Sequence, residues 1–489
     1  MFENLADAIA HHGRRRGNHP ALIEGGRTVS FAELASLVNR TAAHLRSLGM
    51  DEGDIVGNAE GDTVDHVVAM LALARMGAVL LPMDHRWTTV EKERITAYFA
   101  VKGVIAAANA EDIPGARLHR SDAAWRQAVA AQSDSGNFPS RADAPVFLSM
   151  SSGTTGMPKG PMVTHRHMML RMITQAITMT FNEHDRNMLA TPMYFGGGRG
   201  YTLAHLLMGA TVVMNPPPYQ PDQLVERVNA MDITTLFLVP TLFRRLLALP
   251  DTGTPLFPKL RLLISSGSLL YPEERAQIMQ RLSPHFLNAY SSTEGGAVTL
   301  LTPAHQGDKA KSVGRAQFMN EFEIVDDNDK PVAVGEVGRI RQQAPWLPDG
   351  FYKNPEETKK AFKNGWYYPG DLGRTDADGY LYLVGRVKDM IIRGGINIYP
   401  AEIEETLLKH PAIHDVAAVG WPSREMGEEI ACFVVKSGEI DETAIMAVLR
   451  QNVARYKLPK QIFFVDELPK NTLGKVVRPE LVRRLPPIA

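Results

Sequence analysis

Cysteine is almost absent from this chain, which has a single one, Cys432, among its 489 residues. One cysteine excludes an internal disulfide framework and argues against a metal site built from thiolates. Cys432 lies in the apolar run 430–435. We therefore predict that it is a core residue of a strand rather than a nucleophile.

Long apolar runs are also lacking. No segment approaches the roughly 18 consecutive apolar residues of a membrane-spanning helix, and residues 1–17 do not have the pattern of a signal peptide. Together these two observations predict a cytoplasmic protein without a transmembrane segment.

Neither sign of charge is in excess, because 53 basic residues face 54 acidic ones and the formal net charge is −1. Such a chain has no global field that would attract nucleic acid or an anionic membrane. Its hydrophobic fraction of 44% and charged fraction of 22% are typical of globular proteins, and its length indicates more than one domain.

Helical and strand patterns alternate along the first 385 residues. Helical patterns in 31–48, 63–76, 201–208 and 222–231 are interleaved with short apolar runs such as 211–214 and 235–239. This alternation predicts an α/β fold with parallel-rich sheets flanked by helices. Ligands of such sheets lie at the carboxyl ends of the strands.

The last hundred residues have a different pattern. A helix is predicted for 400–410, strands for 416–419, 430–435 and 461–465, and a second helix for 442–455, which makes a small α+β unit. We place the domain boundary between residues 385 and 386. The prediction is a large N-terminal domain, 1–385, and a small mobile C-terminal domain, 386–489.

The stretch "MSSGTTGMPKG", residues 150–160, is rich in hydroxyls and glycines and contains one lysine. It does not match a P-loop, in which the lysine is followed by serine or threonine, and it lacks the spacing of a dinucleotide fingerprint. A surface linker is one interpretation. Backbone amides, hydroxyls and a cation together favour the other, an anion-binding cradle.

Further segments carry similar chemistry: "NAYSSTEGG" at 288–296, "YYPGD" at 367–371, "GR" at 385–386 and "LPKNTLGK" at 468–475. Together, and in this order, they resemble the adenylate-forming (AMP-binding) superfamily, in its acyl- and aryl-CoA synthetase branch. The resemblance covers nearly the whole chain. It implies a carboxylic acid–CoA ligase that uses ATP, Mg²⁺ and coenzyme A.

The resemblance also implies roles for individual residues. The catalytic residues would be Lys475, Thr293 and Glu294, with Glu294 as the magnesium ligand. The ATP-binding residues would be Ser151, Ser152, Gly153, Thr154, Thr155, Gly156, Lys159, Ser266, Gly267, Ser268, Asn288, Ala289, Tyr290, Ser291, Asp371 and Arg386. Taken alone, Asp371 could be a turn acid, Glu294 a cap and Tyr290 a core residue.

In this family the small domain rotates between two half-reactions. The resemblance places the hinge at Lys388 and the CoA channel at Arg393, Gly394 and Gly395, where glycines permit close approach. Arg393 would contact the CoA phosphates or be exposed to solvent. Lys475 would bridge the substrate carboxylate and the α-phosphate in the first step only.

The acyl pocket is expected from Tyr194, Phe195, Gly196, Gly197, Val239 and Gly295. Amino-acid-activating relatives have an aspartate in the first of these segments, and this chain has none. An ammonium without a partner in such a pocket is costly, so an amino acid substrate is disfavoured. The glycines at 196–198 would widen the pocket or form a flexible turn, and Arg199 would pair with a second polar group on the acid.

Two departures from the family pattern leave the predicted chemistry intact: Ser291 stands at a usual glycine, and Pro161 follows Lys159-Gly160. The predicted substrate is a fatty or aromatic acid. Other candidates are a stand-alone enzyme that loads a carrier protein's phosphopantetheine, a non-catalytic nucleotide-binding homologue and a luciferase-like oxygenase. The expected partners are the small-molecule acid, ATP and CoA, and a homodimer is one candidate oligomeric state.

Overall fold

The protein is described by a computed structural model covering residues 2–136, 138, 141–150, 159–394, 396–423, 426–471 and 474–486. The chain forms two compact units: the first comprises Met1–Glu321 and Gln342–Tyr367, the second Phe322–Arg341 and Tyr368–Ala489. The second unit thus includes the predicted small domain together with residues that precede it. The boundary at residues 385 and 386 stays a prediction.

The helices are numbered in chain order. They are α1 Leu5–Arg15, α2 Phe31–Ser47, α3 Val64–Met76, α4 Thr89–Phe99, α5 Ala123–Ala130, α6 His165–Thr178, α7 Gly196–Leu207, α8 Pro221–Ala230, α9 Pro240–Leu247, α10 Pro272–Arg281, α11 Pro355–Ala361, α12 Pro400–Leu408, α13 Glu442–Asn452 and α14 Arg478–Arg483. Short 3₁₀ turns cover Pro303–His305, Val387–Asp389 and Arg455–Lys457.

The strands are numbered in the same way. They are β1 Pro20–Glu24, β2 Arg27–Ser30, β3 Ile55–Ala59, β4 Val79–Pro82, β5 Gly103–Ala106, β6 Leu118–Arg120, β7 Pro145–Leu148, β8 Met162–Thr164, β9 Arg186–Leu189, β10 Thr211–Met214, β11 Thr235–Leu238, β12 Leu262–Ser265, β13 Phe286–Ser292, β14 Gly296–Leu301, β15 Arg315–Ala316, β16 Glu321–Val325, β17 Gly338–Gln343, β18 Phe362–Lys363, β19 Trp366–Tyr367, β20 Asp371–Thr375, β21 Leu381–Arg386, β22 Ile391–Arg393, β23 Ile396–Ile398, β24 Ile413–Ser423, β25 Gly427–Lys436 and β26 Gln461–Phe464.

A nine-stranded sheet dominates the first unit, with the order β15-β14-β13-β12-β11-β9-β10-β1-β2. Its six central strands, β13 to β1 in that order, are parallel neighbours. A second sheet has the order β6-β5-β3-β4-β7-β8 and is parallel except for the β7–β8 pair. The predicted parallel-rich α/β fold is therefore confirmed.

One apolar core contains buried residues from both of these sheets and from helices of the first unit. Leu22 of β1 and Phe147 of β7 belong to it, together with Leu34 of α2, Val67 of α3 and Leu203 of α7. Helices that cover parallel strands in this way leave the strand ends and the loops after them as the accessible edge.

The second unit contains a five-stranded sheet in which β23, β22, β25 and β24 are neighbours in that order and β26 pairs with β25. Cys432 is fully buried in β25, and burial raises the pKa of its thiol, so the predicted core role is confirmed. A separate part of this unit pairs β17 with β20 and β20 with β21.

Most element predictions agree with the structure. The predicted strand 211–214 is β10, and the predicted helix 63–76 is α3, whose Thr63 side chain caps the helix by accepting from the His66 amide. Helix α7 is an exception, because the apolar pattern predicts a start near Tyr201 and the helix begins at Gly196. Three successive glycines have low helix propensity, which conceals the first turn from sequence analysis.

Candidate active site

The carboxyl ends of β9, β11, β12 and β13 form one edge of the nine-stranded sheet, because these parallel strands are consecutive neighbours. Tyr194 follows β9, Val239 follows β11, Ser266 follows β12 and Tyr290 lies near the end of β13. The topology therefore brings four separately predicted segments to the same edge, where ligands of such sheets bind.

Two of the segments predicted to bind ATP, 266–268 and 288–291, are joined directly. Ser265 pairs with Asn288 across β12 and β13, and the hydroxyls of Ser266 and Ser291 are 2.6 Å apart. The ring of Tyr290 is largely buried beside them. The serine at the usual glycine position thus ties one predicted nucleotide segment to the other.

The 293–295 turn connects β13 to β14 and carries Thr293 and Glu294. Glu294 is 7% exposed, and its Oε2 accepts a 3.1 Å hydrogen bond from the Tyr367 hydroxyl. The carbonyl of Gly295 accepts from Gln342 Nε2 at 2.9 Å and from Trp346 Nε1 at 2.8 Å. A Cβ at Gly295 would lie 2.1 Å from Gln342 Oε1, so a side chain at this position would displace the Gln342 amide from its hydrogen bond.

Tyr367, Gln342 and Trp346 were missed by the sequence analysis. They lie 73, 47 and 51 residues from their partners in the turn. No local motif marks Gln342 or Trp346, and Tyr367 begins the quoted YYPGD segment but was given no role of its own. Arg171 also donates hydrogen bonds to this turn. Hydrogen bonds from four different residues therefore fix the turn that carries the predicted catalytic pair.

The donor set of this turn fits one kind of divalent cation. No group of three or more His, Cys, Asp or Glu side chains that could hold a metal is found among the described residues. Mg²⁺ is typically bound by one or two carboxylates together with substrate phosphates and waters. Glu294 offers one such carboxylate, so the chain fits a magnesium ion that the nucleotide itself largely holds.

The glycine-rich stretch connects β7 to β8. Its residues Ser151, Ser152, Gly153, Thr154, Thr155 and Gly156 lie outside the described residues, and their predicted role stays a prediction. Lys159 is described: its Nζ is 3.2 Å from Glu357 Oε2 and 4.4 Å from the centroid of the Phe351 ring. Hydrogen bonds from Lys360 and Lys159 lower the pKa of Glu357.

This pairing gives a prediction for ATP affinity. Glu357→Gln should lower the KM for ATP about two- to fivefold in a pyrophosphate-release assay. The reason is that Lys159 would no longer have to break its ion pair with Glu357 before it binds a phosphate group. A partly exposed pair contributes up to about 1 kcal/mol, which sets this limit. Glu356→Gln removes an equal charge from the same helix turn, and an equal shift in both variants would contradict the pairing.

Buried hydrogen bonds hold the main chain of the predicted acyl-pocket segment. The Met193 amide donates to Asp62 Oδ1 at 2.7 Å. Arg199, which is 2% exposed, donates to the carbonyls of Met193 and Tyr194 at 3.0 and 3.3 Å and to Ser149 Oγ at 2.9 Å. Burial lowers the pKa of Arg199 to about 10. Arg199 is thus engaged with the protein itself, whereas the sequence predicted a contact with the substrate acid.

The side chain of Tyr194 is fixed as well. Arg86 donates to the Tyr194 hydroxyl and forms a two-point ion pair with Asp84, with Nε–Oδ1 and Nη2–Oδ2 distances of 3.0 and 2.9 Å. Burial raises the pKa of Tyr194. The ring centroids of Tyr194 and Phe195 are 4.2 Å apart, so the two aromatic residues of the predicted pocket contact each other.

The glycines at 196–198 form the first turn of α7 rather than a flexible loop. A Cβ at Gly197 would lie 2.6 Å from the Phe237 ring, and one at Gly198 would lie 2.2 Å from the carbonyl oxygen of Thr191. Gly196 has nothing within 4 Å. Gly197 and Gly198 therefore allow the start of α7 to pack closely against its neighbours, whereas a Cβ at position 196 would meet no other atom within 4 Å.

In the second unit, two of the residues predicted to bind ATP are neighbours. Asp371 and Arg386 lie opposite each other on β20 and β21, and Arg386 Nε is 2.8 Å from Asp371 Oδ1. Asp371 is buried while the Arg386 side chain is 47% exposed.

The predicted hinge, channel and catalytic lysine also lie in the second unit. Lys388 is in the Val387–Asp389 turn, and Gly394 has a φ of +56°, which favours glycine. The main chain of Lys475 exchanges hydrogen bonds with Asn471, whose side chain accepts from the Lys475 amide at 3.0 Å. Gly395 lies outside the described residues.

Arg393, the predicted contact for CoA phosphates, is engaged within its own unit. Its Nε is 2.6 Å from Glu429 Oε2, and its Nη1 donates to the Tyr456 carbonyl at 2.8 Å. The Arg393 side chain is 21% exposed, so it is not the fully solvent-exposed residue that was one of the two expectations. The other expectation, a contact with the CoA phosphates, stays a prediction.

The AMP-binding enzyme family model matches residues 9–352, and the model of the AMP-binding enzyme C-terminal domain matches 402–475. Feruloyl-CoA synthase of an Amycolatopsis species is 30% identical over 490 residues, or 99% of each chain. A long-chain-fatty-acid–CoA ligase of Mycobacterium tuberculosis is 29% identical over 92% of each chain. ATP-bound MatB from Rhodopseudomonas palustris superposes with a TM-score of 0.91, at 28% identity over 99% of each chain.

The fold is that of the adenylate-forming superfamily, as the sequence resemblance predicted. The chain belongs to the AMP-binding enzyme family, in its acyl- and aryl-CoA synthetase branch, and is an AMP-forming acid–thiol ligase. None of the described helices is long and apolar enough to cross a membrane. The cytoplasmic location and the homodimer stay predictions.

Proposed function

We propose that this protein is an ATP-dependent carboxylic acid–CoA ligase that acts in two steps on a fatty or aromatic acid. The observation that carries the proposal is the single sheet edge that gathers the Ser266–Ser291 pair, Tyr290 and the anchored Glu294 turn. Aromatic, hydroxyl and carboxylate groups gathered in this way suit a purine, its phosphates and a hard cation.

In the first step a carboxylate oxygen of the acid attacks the α-phosphorus of ATP. The bond from that phosphorus to the bridging oxygen breaks, and pyrophosphate leaves with the acyl-adenylate as the other product. Lys159 and the glycine-rich stretch neutralise the β- and γ-phosphates, and Lys475 stabilises charge that develops between carboxylate and α-phosphate. A magnesium ion held through Glu294 would add further charge neutralisation.

In the second step the CoA thiol attacks the acyl carbonyl carbon. The carbon–oxygen bond to AMP breaks, AMP leaves, and the thiol proton passes to solvent. In this proposal Asp371 accepts the ribose hydroxyls, the hinge at Lys388 lets the predicted C-terminal domain, 386–489, rotate between the two steps, and Gly394 lines the pantetheine channel. These roles follow from the family resemblance.

The acid class is argued from the pocket segment. It contains no carboxylate of its own, and the nearest aspartates are engaged: Asp62 accepts from the Met193 amide, and Asp84 pairs with Arg86. The aromatic side chains of Tyr194 and Phe195 would suit an apolar acid. The relatives named feruloyl-CoA synthase and long-chain-fatty-acid–CoA ligase support the same class of substrate.

The proposal is tested by pyrophosphate release with ATP and Mg²⁺ across fatty acids of graded length, benzoates, cinnamates and amino acids, with and without CoA. We expect turnover on one fatty or aromatic class that requires CoA. Adenylate formation that ignores CoA would indicate a carrier protein as acceptor. Release with amino acids only, or with no acid at all, would contradict the proposal.

A further inference from the structure

Arg171 in α6 connects the helix that follows the glycine-rich stretch to the 293–295 turn. Its Nη1 donates to the Thr293 carbonyl at 3.3 Å, and its Nη2 donates to the carbonyls of Glu294 and, at 3.5 Å, of Trp346. These are three main-chain acceptors, two of which belong to the predicted catalytic pair. Sequence analysis did not single out Arg171.

The environment of Arg171 is unusual for a charged side chain. Its Nε is shut off from solvent, and burial lowers its pKa to about 10. The charge that most opposes this lowering is the Glu294 carboxylate. A charged donor in such surroundings forms stronger hydrogen bonds to carbonyls than a neutral donor does.

The glycine at 296 makes this arrangement possible. Gly296 has a φ of +71°, and a Cβ there would lie 3.2 Å from Trp346 Nε1 and 3.6 Å from Arg171 Nε. The main chain therefore takes a left-handed conformation against the guanidinium two residues after Glu294. A turn fixed on its inner side by a charged group has few alternative conformations.

We propose that Arg171 is a positioning residue for binding of the magnesium–nucleotide complex, which it serves by fixing the main chain on which the Glu294 carboxylate is mounted. The inference rests on the proposed function, because it assigns Glu294 to the metal. Groups that orient a metal ligand typically change metal affinity about 10- to 100-fold when they are replaced.

Arg275 in α10 provides a matched control. It is 4% exposed, burial lowers its pKa to about 10, and it donates to the carbonyls of Ala310 and, at 2.9 Å, of Ser312. It thus has the same chemistry at a turn with no predicted ligand group. Loss of either arginine should lower stability, whereas only loss of Arg171 should alter the response to magnesium.

The experiment compares the full-length parent, Arg171→Gln, Arg171→Lys and Arg275→Gln. Calorimetry measures the affinity for α,β-methylene-ATP in EDTA and across a Mg²⁺ titration, and circular dichroism and thermal melting report the fold. For Arg171→Gln we expect the Mg²⁺-dependent gain in affinity to shrink about tenfold, with little change in EDTA. Arg171→Lys should recover part of the gain, and Arg275→Gln should keep all of it.

An unchanged magnesium response in Arg171→Gln would overturn the inference, and so would an equal loss in Arg275→Gln. If the glutamine variant fails to fold, Arg171→Lys carries the test, and a parental magnesium response in that variant would then overturn the inference. A parent that binds no analogue with Mg²⁺ would contradict the proposed function itself, which is a different outcome from either of these.

Discussion

Lys475→Ala is expected to lower the rate of acyl-adenylate formation about 100- to 1,000-fold while leaving thioester formation from a premade acyl-adenylate within about twofold. Removal of one group that stabilises charge in a transition state typically costs this much in kcat. The family resemblance assigns Lys475 to the first half-reaction only. Pyrophosphate release and CoA-dependent consumption of synthetic adenylate measure the two steps separately.

The surroundings of Lys475 indicate that this substitution removes the side chain without disturbing the fold. The residue is exposed, and its turn is held through main-chain atoms: the Lys475 amide donates to Asn471 Oδ1, and Gly474 takes a φ of +75°. Alanine keeps these interactions, so we expect little change in stability. A large loss of secondary structure in the variant would contradict this view of the turn.

Lys470→Ala serves as the control for charge. Lys470 is five residues away and forms a 2.5 Å ion pair with Asp415, while its side chain is 43% exposed. Its removal should alter neither half-reaction more than about twofold, because exposed pairs contribute little. Equal losses in both half-reactions for Lys475→Ala would contradict its assignment to the first step alone.

Much of the fold was predictable because its signals are local. A strand such as β10 is an unbroken apolar run, and α3 begins at a threonine whose side chain caps the helix. Once strands and helices alternate, parallel pairing follows from topology, and with it the common edge on which the site lies. The helix predicted for 400–410 is α12, which begins at Pro400, a residue that suits the first turn of a helix.

The partners that hold the site were not predictable in this way. Arg171, Trp346 and Tyr367 converge on the 293–295 turn from positions 51 to 123 residues away from the groups in the turn to which they bond. Neither periodicity nor motif spacing encodes such contacts, since they arise only when separate elements pack. The role of Arg199 was missed for the same reason: its hydrogen bonds to Ser149, Met193 and Tyr194 are a property of the folded core.

Gly198→Ala is expected to destabilise the first unit by about 3 kcal/mol, near the upper end for overpacking of a core. The added Cβ would lie 2.2 Å from the carbonyl oxygen of Thr191 and 2.4 Å from that of Pro192. Both atoms belong to the main chain, so no change of side-chain rotamer relieves the clash. The start of α7 would have to move away from the segment that leads to Tyr194.

Gly196→Ala is the matched control two residues earlier, where a Cβ meets nothing within 4 Å. Alanine there should leave the melting temperature unchanged or raise it, because it lowers the conformational entropy of the unfolded chain by up to about 1 kcal/mol. Calorimetric melting of the parent and both variants measures the difference. Equal melting temperatures for Gly196→Ala and Gly198→Ala would mean that the 196–198 glycines provide flexibility, as the sequence alone allowed, rather than a required close approach of α7 to the acyl-pocket segment.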